Sequence, residues 1–103
     1  MPIGDFVNSI PPAIFLLIHL VAFAAGAYFA WRAFRADAGT LGWAFTLFAL
    51  AEISYMTYHL DWTVFLFAHT ISEVLDLLAF VLVFVAATSG VTAKLRGAES
   101  RAG

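Results

Sequence analysis

From Phe6 to Trp31 the sequence runs without a single Asp, Glu, Lys or Arg. That uncharged stretch is longer than the apolar core of a signal peptide. The residues before it contain Asp5 and no basic residue, where a signal peptide would carry positive charge. The small-residue triplets Ala22-Phe23-Ala24 and Ala25-Gly26-Ala27 resemble cleavage sites, but the flanks argue for a retained first membrane span. The rest of the chain agrees. Of its 103 residues 63% are hydrophobic and 12% charged, against about 45–50% apolar and a quarter charged in a soluble domain. Soluble, disordered and nucleic-acid-binding classes are thereby excluded. The expectation is an all-α, polytopic integral membrane protein of the cell membrane, a single transmembrane domain. No cysteine is present, so disulfides, thiolate metal sites and iron–sulfur ligation are excluded.

Three spans of ~20 residues or more can be placed: residues 11–34, 41–60 and 64–88, with a polar, frayed tail at 89–103. Pro11-Pro12 suits a helix start, since the missing N–H lies in the first turn. Arg35-Ala36-Asp37-Ala38-Gly39-Thr40 is a short polar turn and Asp61-Trp62-Thr63 a tight connection, and Ser89-Gly90 is expected to end the third span. Glu73 and Asp76 each oppose insertion by roughly 2.5–3.5 kcal/mol, and the Leu, Ile, Val and Phe residues of that span return roughly 0.3–0.6 kcal/mol each. The balance is close to zero. A cooperative three-helix bundle that shelters the acids is therefore expected. Arg32 and Arg35 flank the first connection, and Lys94, Arg96 and Arg101 lie in the tail. The positive-inside rule then puts the N-terminus outside and the C-terminus in the cytoplasm, with Trp31 and Trp43 at the inner interface and Trp62 at the outer.

At 100° per residue, Glu52, Tyr55 and His59 share one face of the second span, and His69, Glu73 and Asp76 share one face of the third, with Ser72 beside them. His19 stands on the first span above a stripe of Ala22, Gly26 and Ala30, a small-residue face suited to close approach of a helix or a flat ligand. Antiparallel pairing through the short connections puts Tyr55 level with His69, Glu52 level with Ser72 and Glu73, and His19 level with Thr57. Any polytopic protein turns ionisable side chains inward, so one-sidedness alone is expected whether or not there is a function. Three histidines and three acids in so short a stretch nevertheless mark a candidate site.

His69 and Glu73 are four residues apart and can reach one ion or one proton. Together with His19 and His59 they compose a ligand set for a divalent transition metal ion, with Glu52, Tyr55 and Asp76 as outer partners or a proton relay. His19 and His69 could alternatively hold haem b between them, the Ala22/Gly26 face leaving room for the macrocycle. That arrangement resembles, in architecture alone, the small helical anchor subunits of quinone-linked respiratory complexes. The leading expectation is a small non-enzymatic membrane protein binding a metal ion or haem, working as a homo-oligomer or as the accessory subunit of a larger membrane complex. The alternatives are a proton or cation conduit built on the same residues, and a purely structural assembly subunit. No nucleophile triad or phosphate-binding loop is present, and nucleic acid is not an expected partner.

Overall fold

The structure is a computed structural model and describes residues 3–102. It is all-helical. A short 3-10 turn, Asp5–Ser9, precedes α1 (Pro12–Arg35), α2 (Gly39–His59) and α3 (Phe65–Ala102). Asn8 Nδ2 donates to Asp5 Oδ1 (3.0 Å) and Ser9 Oγ to the Phe6 carbonyl (2.6 Å), closing that first turn on itself. Pro11 precedes α1 in an extended conformation and Pro12 occupies its first position, where proline's fixed φ is already helical.

The same device stops α1 and α2. Asp37 (φ 58°) and Asp61 (φ 63°) adopt the left-handed conformation. Behind them Ala38 N–H donates to Ala33 O (2.9 Å) and Asp37 N–H to Phe34 O (3.2 Å). Trp62 N–H likewise donates to Thr57 O (2.9 Å) and Asp61 N–H to Tyr58 O (3.0 Å). Both are Schellman terminations, with aspartate in the place that glycine most often takes. They satisfy the last carbonyls and reverse the chain within a few residues, so α1, α2 and α3 run alternately up and down.

Two expectations need correction. First, α3 does not end at Ser89-Gly90 but continues as helix to Ala102. A lone glycine costs a helix only about 1 kcal/mol, and the Ala, Lys, Leu and Arg residues that follow it favour helix. The side chains of Lys94, Arg96 and Arg101, on which the orientation argument partly rests, lie outside the described residues. Second, the three helices do not close into a bundle. α2 packs against both neighbours, whereas among the described residues α1 and α3 do not pack against each other. The molecule measures 64 × 31 × 20 Å, roughly three helix diameters wide. It is a row with α2 in the middle.

What lies between the helices is small. The buried apolar side chains are Ala30, Ala44, Ala49, Ala51, Ala68 and Ala79. A Cβ added at Gly26 would sit 2.8 Å from Phe48 Cδ1 and 3.4 Å from the Phe45 carbonyl, and one at Gly42 would sit 2.7 Å from the Phe34 ring. The Gly26/Ala30 stripe of α1 is thus used up against α2. On the other side of α2, the fully buried Ser72 Oγ donates to the Ala51 carbonyl (2.9 Å) and Ser54 Oγ to the Ala68 carbonyl (3.2 Å). Large apolar residues, Leu17, Val21, Leu66, Leu77 and Phe84 among them, point outward and are exposed. Two helices, α1 and the Phe65–Gly90 part of α3, are long and apolar enough to cross a membrane.

Candidate functional site

The centre of the site is a contact across the α1–α2 seam. His19 Nδ1 lies 2.5 Å from Glu52 Oε2, with Glu52 buried and His19 partly so. With Glu52 ionised, the Nδ1–H of His19 donates to the carboxylate, which leaves Nε2 of the same ring as its second functional atom. The reach of the glutamate side chain decides this pairing. His19 stacks on Tyr55, about half a turn from the Thr57 level that the connection length suggests, and Glu52 reaches the same imidazole.

Four rings interleave around the pair, two from each helix. Phe15 and His19 are one turn apart on α1, and Tyr55 and His59 one turn apart on α2. The His19 ring stacks on Tyr55 (centroids 5.0 Å, 18° between planes) and on His59 (5.2 Å, 27°), and His59 stacks on Phe15 (5.3 Å, 5°). Tyr58 meets the edge of His59 (4.9 Å, 62°). These contacts fix the planes of both imidazoles. His59 also faces a cavity of about 350 Å³ between the 3-10 turn and the adjoining ends of α1 and α2, lined by Val7, Asn8, Phe15 and Tyr58 among others. His59 therefore opens on a vestibule at the end of the molecule where the N-terminal turn lies.

On α3, Asp76 is half-buried, and its Oδ1 is fully buried without a hydrogen-bond partner among the described residues. Glu52 and Glu73 lie close enough for their charges to act on it. The charges of Glu52, Glu73 and Asp76 also act on Tyr55. His69 stacks on Phe65 of its own helix (5.2 Å, 17°), and Glu73 is exposed. Both remain on the flank of α3.

The structure thus joins His19, Glu52, Tyr55 and His59, while Asp76 stands on α3 within range of the Glu52 charge. It does not gather His19, His59, His69 and Glu73 into one group. Among the described residues, no three His, Asp or Glu side chains converge as a metal site would require. The reason is the open row: α1 and α3 stay apart, and His19 and His59 meet face to face, which does not aim their nitrogens at a common point. The His19–Glu52 pair escapes a reading of each helix by itself, because helical wheels compare residues within one helix and the pair spans two. Comparison with protein-family models, with curated proteins and with solved structures finds no match to this chain.

Proposed function

We propose that this chain is a multi-pass protein of the cell membrane, its N-terminus outside and its C-terminus in the cytoplasm, that relays protons through the His19–Glu52 pair, with water carrying them between that pair and His59 on one side and Asp76 on the other. The observation that carries the reading is the buried His19–Glu52 hydrogen bond, placed between a histidine that opens on a vestibule and a carboxylate deeper in the row. Imidazole takes up a proton on one nitrogen and releases one from the other, and a carboxylate at hydrogen-bond distance accepts it. Intramembrane chains of His, Glu and Asp serve proton transfer in pumps and transporters.

The membrane setting is supported by the inverted pattern of burial. A soluble domain buries Leu, Ile, Val and Phe, whereas this one buries Ala, Gly and Ser and exposes the large apolar residues. Without a hydrophobic drive between helices in lipid, small residues that allow close backbone approach are what hold membrane helices together. The chain works in an assembly, as a homo-oligomer or with other membrane subunits: exposed Glu73 on α3 would cost about 2.5–3.5 kcal/mol facing lipid at mid-depth, which favours protein covering that flank.

Reconstitution into liposomes loaded with a pH-sensitive dye tests the relay. Proton entry above that of empty vesicles is expected, falling at least ten-fold in Glu52→Gln. Flux indistinguishable from protein-free vesicles, or undiminished in that variant, refutes it. One observation favours a second reading, a bound divalent transition metal ion or haem b: a carboxylate that holds Nδ1 of a histidine orients Nε2 as a ligand. The remaining ligands, His69 or Glu73, would then come from a neighbouring copy. A Soret band or stoichiometric metal in the purified protein would establish that reading.

A further inference from the structure

Because α1 and α3 stand apart on either side of α2, the row has a groove, and its composition points to a ligand. The cavity measures about 470 Å³ and is lined by Gly26 and Phe29 of α1, Phe45 and Phe48 of α2, and Asp76 and Phe80 of α3, among others. That volume falls within the usual ~300–1,000 Å³ of a small-molecule site, which is mostly apolar with a few placed polar groups. Here Asp76 is the sole titratable residue of the lining, and its Oδ1 is buried with no donor from the described residues. That leaves the Asp76 carboxyl group as the one polar side chain that a ligand seated in the groove would meet.

The sign of the missing group follows from the surrounding charges. Among the described residues Glu52 is matched by His19, and no basic side chain pairs with Glu73 or Asp76. No Lys or Arg occurs between Arg35 and Lys94. Arg32, one turn from Phe29, is turned onto Tyr28, with Nη1 3.1 Å from the phenol oxygen. The described lining therefore combines phenyl rings with one carboxyl group and no basic group. Aromatic faces attract cations, and a carboxylate in an apolar wall selects for one.

We propose that this groove binds a lipophilic organic cation, an aromatic or branched apolar body bearing one delocalised or shielded positive charge, which sits among Phe29, Phe45, Phe48 and Phe80 with its charge toward Asp76. The proposal takes from the preceding reading only that the groove opens to lipid, the phase from which such a molecule would enter.

Tetraphenylphosphonium and tetraphenylborate have nearly the same shape and opposite charge, and are the probes. Equilibrium dialysis against the purified full chain in detergent, with protein-free micelles as blank, should show saturable binding of the phosphonium at one per chain. Its affinity should exceed that of the borate at least ten-fold and fall at least ten-fold in Asp76→Asn. Equal binding of the two ions, no saturable binding, or an unchanged affinity in Asp76→Asn overturns the proposal. So does a particle of two chains that excludes the phosphonium, since a second copy would then fill the groove. The comparison of the two ions needs no mutation, so it stands even where Asp76→Asn does not fold. Phosphonium binding without proton flux in liposomes would remove the relay and keep this site, and flux without binding would do the reverse.

Discussion

Removing His19 should destabilise the protein more than removing Glu52, and removing both should be milder than the sum of the two. Glu52 is 8% exposed, and His19 is its one hydrogen-bond partner among the described side chains. His19→Leu strands a buried carboxylate, a loss of about 3–5 kcal/mol in proteins generally. Glu52→Leu removes one hydrogen bond and leaves its donor on a partly exposed ring, a loss of about 1–3 kcal/mol. Polar pairs between membrane helices average only ~0.6 kcal/mol and reach ~1.7, while charged partners run higher. The coupling energy in a double-mutant cycle should therefore be about 1–3 kcal/mol. Far-UV circular dichroism melts of wild type, both single variants and the double variant, in one detergent at one protein concentration, supply the four corners. Additivity to within about 0.5 kcal/mol, the agreement normally found for independent sites, would refute the reasoning. So would a larger loss in Glu52→Leu than in His19→Leu, because a stranded carboxyl group in the buried position should destabilise more than a stranded imidazole in the partly exposed one.

Other substitutions test the seams and turns by thermal unfolding. Gly26→Ala places a Cβ 2.8 Å from Phe48 Cδ1, and overpacking of about 1–3 kcal/mol competes with about 1 kcal/mol of helix propensity, for a net loss of about 0–2 kcal/mol; Gly26→Leu should lose more, by prising α1 off α2. Ser72→Ala removes the bond to Ala51 and should lower stability by about 0.5–1.5 kcal/mol, whereas Ser72→Leu forces α2 and α3 apart and should lower it further. At Asp61, φ 63°, glycine should be neutral or stabilising and valine should lose about 1–2 kcal/mol. Since the chain has no cysteine, Thr63→Cys and Ala38→Cys report orientation in whole cells. A membrane-impermeant maleimide should label the first directly and the second only after permeabilisation, and the opposite pattern inverts the topology.

Much of the architecture is written in local features. The polar segments Arg35–Thr40 and Asp61–Thr63 mark where α1 and α2 stop, because turn chemistry is settled by a few adjacent residues. The faces carrying Glu52, Tyr55 and His59, and His69, Glu73 and Asp76, follow from helical geometry alone. The extent of α3 was not legible in the same way: Ser89-Gly90 looks like a stop, but a glycine ends a helix only where the backbone takes up the left-handed conformation beside it, and here it does not.

The sequence by itself determined that the chain is helical and apolar, with its few ionisable groups gathered on particular faces, since composition and periodicity are properties of each segment alone. Which faces meet was decided only by the tertiary structure. Gly26 and Ala30 admit α2 closely, Ala68, Ser72 and Ala79 do so from the other side, and α1 and α3 are thereby held apart in a row. That arrangement gave His19 to Glu52 instead of to His69, and left Asp76 facing a groove with no donor of its own. Pairing depends on how closely two backbones approach and how far each side chain reaches, and neither distance exists until the helices pack.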